Sequence, residues 1–152
     1  MGSKKSLVIG SIYRHPRPNA NSFLDKLAKK LESYSLSKNT SVLLMGDINI
    51  DVSNISNSMS KKYLEVLSSV GFENLVDIPT RYGSSSQTVI DHIITNYDVN
   101  KITHGVLDYA ITDHLPIFAL IHSKPLSKER YDPDQPPVYW QKIDDEKKDV
   151  SG

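Results

Sequence analysis

The chain alternates between short apolar runs and stretches in which apolar residues recur every three or four positions. The runs, such as 42–45, are rich in Leu and Val, the pattern of buried strands. The periodic stretches predict amphipathic helices. We therefore predict strands over 7–13, 42–48, 88–95, 105–111 and 115–121, one helix carrying Phe23, Leu27, Leu31 and Tyr34, and a second carrying Met59, Tyr63, Val66, Leu67 and Val70.

Local signals predict where these elements end. Pro16 and Pro18 stop the first strand, because proline lacks an N–H donor and restricts the residue before it. Ser22 followed by Asp25 is typical of a capping box, and Gly71 is expected to cap the second helix. The remaining segments are interpreted as a polar loop (53–60) and irregular chain with Pro79 as a breaker (72–81).

The resulting order, β-α-β-α-β-β-β, predicts an α/β layered fold with a mixed sheet over residues 1–122. Residues 123–152 are rich in Pro, Asp and Lys, and we expect a polar tail with little fixed structure. Within that tail, Val138-Tyr139-Trp140 is a candidate docking segment whose target the sequence does not identify.

Composition excludes several classes of protein. The 152 residues are 38% apolar and 24% charged, and they include no cysteine, so disulfides and thiolate metal sites are ruled out. No apolar run reaches the roughly 18 residues that a membrane span needs, and the polar start lacks the apolar core of a signal peptide. We expect an intracellular protein that does not cross a membrane.

The net charge of zero conceals an uneven distribution. Residues 1–40 hold eight Lys/Arg and two Asp/Glu (+6), residues 41–122 hold four and nine (−5), and residues 123–152 hold six and seven (−1). An acidic centre beside a basic flank suits a metal-dependent site that acts on a polyanion. Ordinary solvated helix surface is the alternative, and charge alone favours it.

The first candidate site residues lie in Gly46-Asp47-Ile48-Asn49, where a predicted buried strand places a carboxylate at the edge of a sheet. Side chains alternate along a strand, so continued extended geometry would point Asn49 the same way as Asp47. Such a pair can handle a water, a metal ion or a phosphate oxygen. The alternative is an Asx turn, in which both residues serve turn chemistry.

Two further polar clusters interrupt apolar segments. Asp91 lies inside an otherwise apolar strand, which is costly without a partner, and His114 of Asp113-His114 is a natural one. A carboxylate on one ring nitrogen orients an imidazole and stabilises its protonated form. The alternative for His114 is a surface histidine at a turn before Leu115-Pro116, and neither cluster is specific in isolation.

Taken in order, these motifs resemble those of one family. The chain carries Gly46-Asp47-Ile48-Asn49, Pro79-Thr80-Arg81, Ile90-Asp91-His92-Ile93 and Thr112-Asp113-His114. Over about residues 7–122 it resembles the endonuclease/exonuclease/phosphatase superfamily, in particular the endonuclease domain of non-LTR retrotransposons. The resemblance implies a layered α/β sandwich of the deoxyribonuclease-like type, of which this chain represents about the C-terminal half.

The resemblance also implies roles for individual residues. Asp47 would orient or deprotonate the attacking water, and Asn49 would hold that water or a phosphate oxygen. His114 would contact the phosphate while Asp91 polarises it, and Asp113 would lie near the metal. Two further assignments follow from matching positions: Tyr13 near the phosphate and Arg81 on a loop that faces DNA.

The implied activity is DNA nicking that depends on Mg²⁺, with Mn²⁺ as an alternative ion, leaving a 3′-hydroxyl that primes reverse transcription in the nucleus.

Thr112 and Ile48 depart from the family's serine and aromatic residue without changing the chemistry. The family's first half, with its metal-binding glutamate, has no counterpart here. The sequence therefore leaves three hypotheses: an impaired nuclease, a non-catalytic remnant or binding module, and, less favoured, a phosphatase. Self-association, or pairing with the missing half, would complete the sandwich.

Overall fold

A four-stranded mixed sheet organises the computed structural model, which describes residues 5–122. Its strand order is β1-β2-β6-β3, and two small antiparallel pairs, β4-β5 and β7-β8, lie outside it. The bounds are β1 (Ser6–Ser11), α1 (Ala20–Ser35), β2 (Thr40–Asp47), α2 (Ser58–Ser69), β3 (Glu73–Asn74), β4 (Arg81–Tyr82), β5 (Gln87–Thr88), β6 (Asp91–Thr95), β7 (Ile102–Val106) and β8 (Ile117–Ile121).

The predicted mixed sheet is confirmed. β1 runs parallel to β2, and the α1 crossover between them supplies the connection that parallel neighbours require. β6 pairs antiparallel with both β2 and β3. The carboxyl end of β2 therefore meets the amino end of β6, which brings two distant parts of the sequence together at one edge of the sheet.

The helices form where the apolar spacing predicts them, but the start of α1 differs. Asn19 caps α1, because its side-chain oxygen accepts a hydrogen bond from the Asn21 N–H at 2.9 Å. The predicted capping box was wrong: Ser22 lies inside the helix, and Asn19 is as good a cap as serine. Gly71 is confirmed in its role, since it follows α2 with φ +75°.

Apolar side chains pack on both faces of the sheet. On one face α1 and α2 cover a core that includes Leu24, Leu31 and Tyr63, all fully buried. On the other face the β7-β8 hairpin packs against Leu43 and Ile93. This second layer leaves part of the face open: Ile9 on β1 is 64% exposed.

Several predicted strand bounds were wrong. The predicted strand 105–111 is β7 at 102–106, because the chain turns at 107–109, where the Tyr109 N–H donates to the Leu107 carbonyl. The predicted strand 88–95 is interrupted between β5 and β6, and the supposedly irregular 72–81 contains β3 and the first residue of β4. The first strand ends at Ser11, and β8 begins at Ile117.

The predicted tail 123–152, with Val138-Tyr139-Trp140, lies outside the described residues. Within residues 5–122, no helix is long and apolar enough to cross a membrane.

Candidate active site

Gly46 sets the geometry at the end of β2. A Cβ built on this residue would lie 1.9 Å from the Ile12 carbonyl oxygen, so any larger residue would collide with the backbone that continues β1. Its φ of +151° also favours glycine. The glycine of the Gly46-Asp47 motif therefore lets the two strands approach closely, immediately before the first acidic residue of the site.

Three polar side chains form what we call the acid–histidine cluster: Asp47, Asp91 and His114. Asp47 and Asp91 are directly opposed in the antiparallel register of β2 and β6. One ligand atom from each of the three residues lies within 4.8 Å of the other two. The His114 Nδ1 and Asp91 Oδ2 atoms are 2.9 Å apart, so the contact predicted from the sequence between these residues is present.

Thr80 joins the segments that carry Asp91 and His114, a role that the sequence did not reveal. Its hydroxyl oxygen is buried and accepts hydrogen bonds from the main-chain N–H groups of Ile90 (3.2 Å) and Asp91 (3.0 Å). Its carbonyl accepts from the Leu115 N–H at 2.7 Å. One buried threonine thus fixes the backbone on both sides of the Asp91–His114 contact. The signal available in the sequence was a hydroxyl residue between Pro79 and Arg81.

The electrostatic environment of Asp47 disfavours its charge. Burial raises the pKa of this carboxyl, and the nearby carboxylate of Asp91 adds to the rise. Hydrogen bonding from Asn49 and the proximity of His114 act in the opposite direction without cancelling it. A carboxylate with a raised pKa is a better proton acceptor, and a cation beside it would relieve the repulsion.

Asn49 does not continue the strand, so of the two geometries that the sequence left open the Asx turn is the one present. Its φ is +52°, and its main-chain N–H donates to Asp47 Oδ1 at 2.9 Å. Its side-chain Nδ2 donates to the Arg14 carbonyl oxygen at 2.8 Å. Left-handed backbone is tolerated by asparagine better than by most residues. The sequence-derived turn and site interpretations of this motif are therefore compatible: an Asx turn stands beside the cluster.

Asp113 and Arg81 pair with each other instead of joining the cluster. Arg81 Nε lies 2.8 Å from Asp113 Oδ2, with both side chains about half exposed. The hydrogen bond from Arg81 and its positive charge lower the pKa of Asp113. The metal role of Asp113 and the DNA-facing role of Arg81 stay predictions.

Tyr13 lies just beyond β1 and is 65% exposed, with no hydrogen bond to the described residues. Its phenol is free to meet a ligand, but its proposed place near a phosphate also stays a prediction. His92, the neighbour of Asp91, is fully buried against Tyr63 and serves the core.

Fold and cluster together define a mixed α/β protein with an acidic, histidine-containing site at the sheet edge. Residues 7–118 match the family described as endonuclease-reverse transcriptase. The chain belongs to this family, which supports a nuclease-type function in general.

A search of solved structures found similarity to the endonuclease domain of TRAS1, a telomere-specific non-LTR retrotransposon. The TM-score is 0.57 at 21% identity, over 72% of this chain and 52% of that domain. The chain thus spans about half the length of that domain and shares its fold. No curated protein matches the chain.

Proposed function

We propose that the acid–histidine cluster is a divalent-metal-dependent phosphodiesterase centre and that the chain acts as a DNA-nicking endonuclease of the retrotransposon type. The observation that carries the proposal is the convergence of Asp47, Asp91 and His114 to within 4.8 Å, from three separate parts of the sequence. Membership of the endonuclease-reverse transcriptase family supports the same reaction class. We also propose that the substrate is nuclear DNA.

The donor set fits a hard divalent cation. The carboxylates of Asp47 and Asp91 suit Mg²⁺ or Mn²⁺, and Mg²⁺ in particular needs few protein ligands because it retains several waters. Electrostatics supports the same fit. Burial and the charge of Asp91 both raise the pKa of Asp47, so the negative charge of its carboxylate is disfavoured and a cation would stabilise it. When bound there, such an ion would neutralise phosphate charge and favour ionisation of a coordinated water.

Each side chain of the cluster has its own role in the proposed reaction. Asp47 accepts a proton from the attacking water. Asp91 accepts a hydrogen bond from Nδ1 of His114, which fixes the ring and leaves Nε2 to donate to a phosphate oxygen. Asn49, Tyr13, Arg81 and Asp113 are candidate contacts for the water, the phosphate, the DNA and the metal, respectively.

A non-catalytic DNA-binding module is the second candidate function. The observation that favours it is the Arg81–Asp113 pair, because this pairing occupies a carboxylate that the nuclease hypothesis assigns to the metal. Under this hypothesis the chain would bind DNA through its exposed basic groups without cleaving it.

A plasmid-nicking assay separates the two functions. With Mg²⁺, the wild-type chain should convert supercoiled plasmid to open circles, and His114→Ala should lower the rate by about 10²-fold or more. His104→Ala is the matched control, because His104 is exposed on β7, outside the cluster. Cleavage that is absent, or equal in wild type and His114→Ala, would eliminate intrinsic nuclease activity.

A further inference from the structure

We propose that Arg14 is a positioning residue that holds the turn at residues 47–49, and with it Asp47 and Asn49, in the geometry that the cluster needs. The inference rests on the proposed nuclease function for its catalytic consequence. The structural part of the inference, that Arg14 holds this turn, rests on hydrogen bonds. Arg14 was not among the site residues predicted from the sequence, and its side chain is not part of the acid–histidine cluster.

Arg14 is buried in an unusual environment for a cation. Its residue is 8% exposed, and within the described part of the chain it forms no ion pair with a carboxylate. A buried charge is costly unless hydrogen bonds replace its hydration. The guanidinium meets that requirement with main-chain carbonyls and with the ring of Phe23, whose centroid lies 5.9 Å away.

Two of the four carbonyls that the Arg14 side chain binds belong to the turn. Nε donates to the Ile48 carbonyl at 2.8 Å, and one terminal nitrogen donates to the Asn49 carbonyl at 3.0 Å. The other terminal nitrogen donates to the carbonyls of His15 and Pro18, both at 3.1 Å. The planar fork therefore ties the turn to the segment between β1 and α1, and no other side-chain type presents donors in this arrangement.

The main chain of Arg14 completes the clamp. Its N–H donates to the Asp47 carbonyl at 2.9 Å, and its carbonyl accepts from Asn49 Nδ2 at 2.8 Å. Main chain and side chain of one residue thus contact all three residues of the turn. Asn49 has φ +52°, a conformation that asparagine tolerates, and the bonds from Arg14 add to the Asx hydrogen bond that holds the turn.

Substitution of the side chain tests the clamp while leaving the main-chain bonds available. Arg14→Met keeps an unbranched apolar stem but removes every guanidinium donor. Arg14→Lys keeps the charge but cannot reproduce the planar fork. Thr95→Val is the matched control, because it removes a buried hydrogen bond to the Val42 carbonyl at the other end of β6.

The first readout is nuclear magnetic resonance of the Asn49 side-chain amide, which needs no activity. We expect Arg14→Met to shift these resonances and to speed their hydrogen exchange by about tenfold, with a smaller effect in Arg14→Lys and none in Thr95→Val. Unchanged Asn49 resonances in a folded Arg14→Met variant would overturn the proposal. If neither variant folds, hydrogen-bond couplings from Arg14 Nε to the Ile48 carbonyl in wild type decide, and their absence would overturn it.

The second readout is nicking activity, measured well below the unfolding temperature of each variant. We expect kcat in Arg14→Met to fall by about tenfold or more, while KM for DNA changes by less than about twofold, because the turn is misplaced without loss of DNA contacts. Thr95→Val should retain the wild-type kcat. If the wild-type chain does not nick DNA, the proposed function fails, while the resonance test of Arg14 still gives its own answer.

Discussion

Asp47 and Asp91 face each other across the antiparallel pair of β2 and β6. Like charges at directly opposed positions destabilise a sheet, and burial of Asp47 increases this cost. Neither residue belongs to the apolar clusters on the two faces of the sheet. The arrangement is therefore a local cost in stability that a metal-dependent site would explain.

Removing one of these charges should stabilise the fold. Asp47→Asn keeps an oxygen that can accept the Asn49 N–H and should raise the free energy of unfolding at pH 7 by ~0.5 kcal/mol. The folded-state pKa of Asp47 is raised above 3.8, so its ionisation opposes folding, and the gain should vanish below pH 3.8 and grow as pH rises through the folded pKa. Urea unfolding across this range measures it. Asp108→Asn, at an exposed position, is the control, and an equal gain there would contradict the argument.

Divalent ions should stabilise the chain through the same residues. At tenfold excess over Kd, Mg²⁺ or Mn²⁺ should add about 1.4 kcal/mol to the free energy of unfolding. Thermal unfolding in MgCl₂, MnCl₂ and NaCl of matched ionic strength measures the shift. Asp91→Asn should abolish it. A shift of the same size in Asp91→Asn would place the bound ion elsewhere.

Buried His92 should make stability depend on pH. Its Nε2 lies 3.1 Å from the Val89 carbonyl and its Nδ1 lies 2.8 Å from the Tyr63 hydroxyl, which matches a neutral ring that donates from Nε2 and accepts at Nδ1. Burial lowers the pKa of His92, and it raises the pKa of Tyr63, which keeps the phenol protonated. Because the folded-state pKa of His92 lies below 6.5, its contribution is complete above pH 6.5 and is lost as pH falls from there towards the folded value.

Urea unfolding between pH 7.5 and pH 5 checks this dependence by difference. His92→Gln removes the titrating group, so the decline in stability on acidification should be shallower than in wild type. His104→Gln, at the exposed position on β7, should keep the wild-type slope. Parallel slopes in wild type and His92→Gln would count against a buried neutral His92.

The buried hydroxyl of Thr80 should contribute more to the free energy of unfolding than a typical side chain does. Thr80→Val leaves the buried Ile90 N–H without the hydroxyl that accepts its hydrogen bond, and leaving a buried donor unsatisfied costs about 1–3 kcal/mol. Thr80→Ser keeps the hydroxyl and should lose less. Denaturation gives the energies, and resonances of the His114 ring report whether the Asp91–His114 contact loosens. Unchanged His114 ring resonances in Thr80→Val would show that Thr80 stabilises the fold without positioning the Asp91–His114 contact.

The sequence predicted those elements whose residues had a strong local reason for their structure. The apolar run before Asp47 predicted a buried strand, and Phe23, Leu27, Leu31 and Tyr34 recur at helical spacing along α1. The strand predicted at 105–111 failed because apolar residues such as Tyr109 and Ile111, 70% and 74% exposed, mimic a buried pattern while lying in a loop. Burial depends on the partner surface, which local sequence does not encode.

The sequence predicted the Asp91–His114 contact but not the turn at Asn49. Motif order selected Asp47, Asp91 and His114, because a carboxylate inside apolar sequence needs a partner. The structural roles of Thr80 and Arg14 were not predicted, since they depend on hydrogen bonds to main-chain groups at least ten positions away in the sequence. Main-chain acceptors are the same at every residue, so no sequence pattern marks them.

The reaction that we propose is cleavage of a phosphodiester bond by the acid–histidine cluster with the aid of a divalent ion. Its most direct test is single-turnover nicking of a supercoiled plasmid by wild type and Asp47→Asn with Mg²⁺, followed by extension of the nicked strand by a DNA polymerase. We predict metal-dependent nicks with extendable 3′-hydroxyl ends in wild type, and a rate about 10²-fold lower in Asp47→Asn. Nicks that persist without metal, or at the same rate in Asp47→Asn, would contradict the account.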